Sequence, residues 1–515
     1  MLACTLRSMT SSVLISPDTP LTIRDVAEVA RHGRRVEITD DAVHAVSNAR
    51  ACVEEAAEGP DPVYGINTGF GSLSQHRISP EETADIQRHL IRSHAAGVGE
   101  PLDADVVRGM QTLLLGSLCR GHSGVRESLV HALAALLNHD VVPIVPSRGS
   151  VGASGDLAPL AHAAMVLIGE GEAMVQDQGP MPACEALAQC GCAPLPLEAK
   201  EGLALINGTH LMGATLALAI TDIQDIMAAA ELAAAMSLDA SRGSASPLDP
   251  RIHKARQQTG QIQVAARIAA LLEGSDILND HLEDDPRVQD PYCIRCTPQV
   301  LGAVSDSMDH VSLITARELG AVTDNPLVFP ADHAICTGGN FHGMPLAMAA
   351  DTARLALCHL AGIAERRIFW MLSGRDPESG LPACLSPTPG LHSGLMIAQY
   401  TAAALCNELQ MIANPASVGN VPTSAGIEDY NSMGATSAHY LRIAVELARD
   451  VIAIELLVAA EGIEHQRPLQ TSPALEKVHK MIRTIVPPLS EDRPPSQDIA
   501  AIAAMISEGS LIASP

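Results

Sequence analysis

The stretch HLMGATLALAITDIQDIMAAAELAAAMSLDA, residues 210–240, decides the fold class. It is rich in Leu, Ala, Met and Ile with occasional acids, and it predicts one long helix. Similar stretches run over 345–372, 390–412 and 437–466. Helices of these lengths exceed the ordinary globular element and imply a bundle of long rods. Abundant alanine permits close helix approach, and an aromatic content of 2% fits a core of aliphatic ridges. Little of the chain alternates at period two, so the fold class is mainly α, a long-helix bundle.

Outward from these helices, glycine, proline and polar residues concentrate near 60–75, 143–156, 286–299, 323–345 and 414–434. Function tends to sit on such loops when a rigid scaffold holds them. The mixed, loop-rich part gives way to long helices near Gly208, which divides the chain into 17–208 and a helical bundle over 209–515. Residues 1–16 read as a flexible N-terminal extension without the continuous apolar core of a signal peptide. No internal repeat or flexible linker stands out. A chain of 515 residues is longer than one hydrophobic core usually grows. Residues 202–221 carry no charge but are interrupted by Asn207-Gly208-Thr209-His210, which argues against a transmembrane span.

The chain is 47% hydrophobic and 18% charged, a globular composition. Its formal net charge of -26 repels nucleic acid and anionic membrane, leaving a small soluble ligand as the expected partner. The twelve cysteines are scattered, as reduced thiols of a cytoplasmic protein would be. Cys293 and Cys296 form one Cys-x-x-Cys without a second pair at zinc-finger spacing, so no metal site is expected. No nucleotide-binding glycine loop, Walker motif or His-Glu-x-x-His is present.

The segment Gly149-Ser150-Val151-Gly152-Ala153-Ser154-Gly155-Asp156-Leu157-Ala158-Pro159-Leu160 lacks the spacing of a serine-hydrolase elbow. Read locally, it is a glycine-rich turn with an N-cap at Asp156 and a helix over 157–168. Its twelve-residue context closely resembles the signature of the aromatic amino-acid lyases and aminomutases. In that family the Ala-Ser-Gly triplet cyclises into 4-methylidene-imidazol-5-one, MIO. The resemblance implies that the Gly155 nitrogen reaches the Ala153 carbonyl carbon, an approach open only to small, permissive residues. Loss of two waters would then leave an electrophilic methylidene on the former Ser154, with no metal or nucleotide required.

Further segments resemble the family in the same order along nearly the whole chain. Tyr64-Gly65-Ile66-Asn67-Thr68-Gly69-Phe70-Gly71 is similar to a mobile inner loop whose tyrosine is assigned to proton transfer. Tyr64 thereby becomes the expected base, which requires its pKa to fall from about 10. Leu203-Ala204-Leu205-Ile206-Asn207-Gly208-Thr209 looks like the asparagine loop, with Asn207 on the cofactor carbonyl or the substrate carboxylate. In Pro291-Tyr292-Cys293-Ile294-Arg295-Cys296-Thr297-Pro298-Gln299, the resemblance places Arg295 on the substrate carboxylate and Tyr292 near the reacting carbon. Gln289 lies where histidine-specific members carry a glutamine near the substrate. Gly338-Gly339-Asn340-Phe341-His342-Gly343 would lay Phe341 against the cofactor. Thr323-Asp324-Asn325-Pro326-Leu327, Pro422-Thr423-Ser424-Ala425-Gly426 and Ser472-Pro473-Ala474-Leu475-Glu476 complete the match.

Substrate choice follows from Leu90-Ile91-Arg92-Ser93-His94-Ala95-Ala96-Gly97. Family members acting on histidine carry serine then histidine at the Ser93-His94 pair, whereas tyrosine lyases tend to histidine-leucine and phenylalanine lyases to phenylalanine-leucine. His94 can exchange a hydrogen bond with an imidazole. Glu408 closes an apolar helix on one face with Tyr400 and Ala404, where a carboxylate needs a partner, and histidine lyases carry glutamate there. The implied reaction is elimination of ammonia from histidine to give urocanate, the substrate amine adding to the methylidene while Tyr64 takes the β proton. The implied assembly is a homotetramer whose sites draw loops from three subunits, on a fumarase/aspartase-like helical fold.

The chain departs from the histidine-directed pattern at Met344 for glutamate, Asn414 for histidine, Ile427 for glutamine, Tyr430 for histidine and His210 for glutamine. A histidine 2,3-aminomutase, a tyrosine or phenylalanine lyase, and a catalytically inactive helical scaffold therefore stay open as alternatives.

Overall fold

The computed structural model describes residues 12–69, 76–79, 82–176, 178–282 and 285–511. It is mainly α, and among the described residues four small sheets have two or three strands each. The helix His210–Ala240 has the predicted bounds, and Met344–Leu372 and Gly434–His465 lie within a few residues of theirs. The helix expected over 390–412 begins only at Met396. Gly390 and Gly394 ahead of it hold φ of 94° and 58°, a left-handed backbone that ends rather than starts a helix. His210–Ala240 and Met344–Leu372 are long and apolar enough to cross a membrane, but most of each is buried inside protein.

Part of the stretch 1–16, expected as an extension, is built into a sheet. Val13–Ile15 pairs in parallel with Val36–Ile38, and Val13 and Ile15 are buried, because Val-Leu-Ile places two apolar side chains on one strand face. Residues 1–11 lie outside the described residues.

Two compact units emerge, and neither is one continuous run. The first comprises 1–218, 312–350 and 415–439; the second comprises 219–311, 351–414 and 440–515. A single linear cut near Gly208 therefore does not describe the division, because all but one of the cuts, the one after Asn414, fall inside long helices.

In the first unit, the helix Ala104–Leu118 is buried on nearly every side. It packs against Ile23–His32, whose start is fixed by a capping box between Thr22 and Asp25. In the second unit, small residues permit the close approaches that the composition implies: a Cβ on Gly260 would stand 2.3 Å from the Gly302 carbonyl oxygen. A fully buried Arg367–Glu455 ion pair, joined by Ser237 and Thr297, satisfies its own hydrogen bonds there.

Candidate active site

The glycine-rich segment forms a tight turn in the first unit. Gly152, Ser154 and Gly155 all hold positive φ, at 70°, 54° and 73°. Such a conformation in Ser154, which is not a glycine, costs energy and persists only where surrounding contacts impose it. Those contacts are present on both sides. Upstream, the Gly152 carbonyl accepts from Ser432 Oγ at 2.8 Å and from the Gly343 N–H at 3.0 Å, and the Val151 carbonyl accepts from the Met433 N–H at 2.8 Å. Downstream, the Asp156 N–H donates to the Gly208 carbonyl at 2.7 Å. The approach of Gly155 to Gly208 is so close that a Cβ on Gly155 would lie 2.0 Å from the Gly208 oxygen.

Asp156 stands at the N-cap of Leu157–Leu167 but does not cap it with its side chain, contrary to the local reading. The fully buried carboxylate accepts instead from Ser150 Oγ at 2.9 Å and from the Met212 N–H at 3.1 Å. It thus serves the start of the helix His210–Ala240, whose free N–H groups favour negative charge. Burial nevertheless pushes its pKa up to about 7.

Around this turn lies a cavity of about 560 Å³, lined among others by Tyr64, His94, Ala153, Ser154, Asn207 and Phe341. Six of the residues named from sequence thus meet in one place within one unit. Gly155 lies behind the turn against Gly208. Ser93 is exposed and turns its hydroxyl back to the Leu90 carbonyl at 3.1 Å.

Local contacts fix the side chains that matter. Asn67, almost fully buried, accepts from the Val63 N–H and donates to the Ala56 and Asp61 carbonyls, which holds the turn carrying Tyr64. Phe70 and Gly71 of that motif lie outside the described residues. Asn207 donates to Asp324 Oδ1 at 3.3 Å and to the Asn325 carbonyl at 3.2 Å, and Asp324 in turn accepts from buried Lys200 at 2.5 Å. The Thr323-Asp324-Asn325 turn thereby supports the asparagine. His94 Nδ1 lies 2.9 Å from the Leu90 carbonyl, which can only accept, so Nδ1 carries the proton. In the neutral ring Nε2 is then an acceptor.

Sequence reasoning missed several lining residues, above all Glu428. Its Oε1 accepts from Ser154 Oγ at 3.4 Å and its Oε2 from Thr423 Oγ1 at 3.0 Å. The signal was the Pro422–Gly426 motif, which stops two residues short. His342 and Tyr430 also line the cavity. The imidazole donates from Nε2 to the Tyr430 carbonyl at 2.9 Å, and its ring lies 6.3 Å from the Tyr430 ring.

The other four named residues belong to the second unit. Gln289 and Arg295 line a cavity of about 720 Å³ there, where the buried Arg295 Nε has no hydrogen-bond partner among the described residues. The Arg295 guanidinium stands 4.6 Å from the centroid of the Tyr292 ring, which is 70% exposed. Glu408 faces outward with Tyr400 and Ala404, so within the chain no burial forces a partner on it. No cluster of three or more metal-ligating side chains occurs among the described residues.

The family model for aromatic amino acid lyase matches residues 21–484. A histidine ammonia-lyase of Deinococcus radiodurans is 46% identical over 495 residues, covering 96% of this chain and 94% of that protein. The crystal structure of histidine ammonia-lyase from Trypanosoma cruzi superposes with a TM-score of 0.90 at 39% identity, covering 97% of this chain and 94% of its own. A tyrosine aminomutase from Streptomyces globisporus superposes with a TM-score of 0.92 at 35% identity, covering 98% of both chains.

Proposed function

The chain belongs to the aromatic amino acid lyase family, and on that premise we propose that it eliminates ammonia from L-histidine to give urocanate. The observation that carries this reading is the meeting of His94 with Ala153 and Ser154 at one cavity. Relatives at 46% identity named for histidine favour it over amine migration and over tyrosine or phenylalanine as substrate.

The cofactor of this reading is MIO, built from Ala153, Ser154 and Gly155, and the turn fits it. Consecutive positive φ values and the absence of a Cβ at Gly155 bring the segment into the compact turn that ring closure needs. When formed, MIO supplies an electrophilic carbon that turns the substrate amine into a better leaving group.

The chain's own residues do the remaining work. His94 Nε2 accepts from the substrate imidazole N–H, Tyr64 takes the β proton, Asn207 turns one of the amide N–H groups it holds on Asp324 and Asn325 to a carbonyl or carboxylate oxygen, and Phe341 shields the site from water. Glu428 holds a carboxylate beside Ser154. In this reading the site is completed in a homotetramer by Tyr292, Arg295, Gln289 and Glu408 of other copies, with Arg295 clamping the substrate carboxylate. Exposed large side chains on the long helices, among them Met348, Leu355, Phe369, Ile397 and Tyr400, support such an assembly. Cytoplasmic location agrees with free cysteines throughout the described residues.

The deciding experiment offers histidine, tyrosine and phenylalanine separately and identifies products by mass and ultraviolet spectrum. Urocanate and free ammonia from histidine alone are expected. A faster reaction with tyrosine or phenylalanine, or β-histidine without ammonia, overturns the reading.

A further inference from the structure

The helix Thr83–His94 presents Arg88 and Arg92 four residues apart, hence on one face. Both converge on Glu170. Arg88 donates to Oε1 from Nε at 2.9 Å and from Nη2 at 2.6 Å. Arg92 donates from Nε to Oε2 and from Nη2 to Oε1, each at 2.7 Å. One carboxylate thus takes four charge-assisted hydrogen bonds from two planar guanidinium groups, a geometry far more restrictive than an ordinary surface ion pair. Its own backbone is fixed, since Gly169 and Gly171 on either side hold φ of 80° and 75° and the Glu170 N–H donates to the Met165 carbonyl at 2.9 Å.

What this carboxylate is attached to gives the contact its meaning. Glu170 lies three residues beyond the end of Leu157–Leu167, the helix that begins immediately after the Ala153-Ser154-Gly155 turn and its Asp156 anchor. The two helices pack against each other in opposite directions. Toward the turn they meet a second time, where the Gly97 N–H donates to His162 Nε2 at 3.0 Å and a Cβ on Gly149 would lie 3.1 Å from the Gly97 Cα. His94 lies between these two attachments, two residues beyond Arg92 and three before Gly97.

We propose that Glu170 is a positioning residue for substrate recognition: through Arg88 and Arg92 it sets the axial placement of the helix that carries His94, and so the reach of the imidazole from the Ser154 turn. The proposal rests on the reading of His94 as the group that meets the substrate ring. Without the Glu170 contacts the helix keeps its Gly97 attachment and its buried Gln87, Leu90 and Ile91, with Gln87 Oε1 accepting from the Leu203 N–H at 3.3 Å. It loses the charged restraint two residues from His94, so its last turn can shift, which weakens the hydrogen bond at the substrate while leaving the Ser154 turn intact.

The test is a double-mutant cycle of Glu170→Gln and His94→Ala, with kcat and KM read on whichever of histidine, tyrosine or phenylalanine the wild type turns over best. Intact mass and cofactor absorbance are followed in parallel. Glu170→Gln is expected to raise KM about fivefold with kcat and mass deficit held, a factor corresponding to about 1 kcal/mol of coupling, and to have no further effect once His94 is alanine. Arg92→Gln should act with the same sign, which keeps the test open if Glu170→Gln fails to fold. An equal loss in both His94 backgrounds, or a fall in kcat that tracks lost cofactor, overturns the proposal. Should the wild type prefer an amino acid other than histidine, the histidine reading fails on that result alone, and the cycle on the preferred substrate still decides the role of Glu170.

Discussion

Ser154 Oγ donates to Glu428 Oε1 at 3.4 Å, across 274 residues of sequence. The same carboxylate is held on its other oxygen by Thr423, so its orientation toward the turn is imposed by its own loop. A charged acceptor in that place is suited to a proton on the reacting groups, and glutamine keeps the shape and the Thr423 contact but not the basicity. Glu428→Gln is therefore expected to lower kcat by roughly 10²-fold, within the usual range for a general acid or base, with a much smaller change in KM. Steady-state kinetics at matched cofactor content check this, and near-normal kcat would remove Glu428 from the chemistry.

The turn itself makes a prediction about mass. If Ala153, Ser154 and Gly155 cyclise, the purified chain is lighter than its sequence by two waters. Gly155→Ala should retain the full sequence mass and lose turnover, because the added Cβ would fall 2.0 Å from the Gly208 oxygen and force the turn apart. Intact-mass spectrometry on both proteins decides the matter. A wild-type mass equal to the sequence mass would end the cofactor reading.

How far this site could be read in advance differs residue by residue. The helices His210–Ala240 and Leu157–Leu167 were legible because their composition is local, and the Ala153-Ser154-Gly155 turn was legible because twelve consecutive residues carry its pattern. Glu428 was not, and His342 and Tyr430 entered only as part of the Phe341 motif and as a departure from the family pattern, since each reaches the cavity from a loop without periodicity, brought there by contacts such as the Ser432 bond to the Gly152 carbonyl. The Asp156 carboxylate reads as a cap for its own helix, and only the fold shows that it serves the distant helix His210–Ala240. Two units built from interleaved segments likewise leave no compositional seam at their boundaries.

His210 gives a pH dependence with a definite sign. Its ring is buried beside Gly208, neither nitrogen has a partner among the described residues, and burial lowers its pKa from 6.5 to about 4. The unfolded chain therefore takes up this proton first as pH falls, and stability is lost between pH 6.5 and about 4, up to roughly 3 kcal/mol. Asp156 runs the other way: raised to about 7, it loses stability as pH rises from 3.8 through about 7. His210→Gln removes only the first effect. Denaturant unfolding of the two proteins across pH 4 to 7 should show the variant gaining on the wild type as pH falls, and parallel curves would refute the assignment.

In the proposed reading specificity rests on His94, whose Nδ1 is committed to the Leu90 carbonyl and whose Nε2 is left to accept. A site that satisfies a buried imidazole N–H discriminates strongly, because a ligand without that group leaves the site's own polar atom unpaired. Leucine in place of His94 removes the acceptor and supplies an apolar surface next to Leu90, Leu157, Leu203 and Phe341, which already line the cavity. His94→Leu should lower kcat/KM for histidine by roughly 10- to 100-fold, the consequence of losing one hydrogen bond of about 1–3 kcal/mol. The same change should raise kcat/KM for phenylalanine, since its ring asks only for apolar contact. Competition assays with both amino acids on wild type and variant measure the ratio directly. Unchanged preference in His94→Leu would show that another group reads the substrate ring, and Tyr430, which lines the same cavity, would be the next side chain to replace.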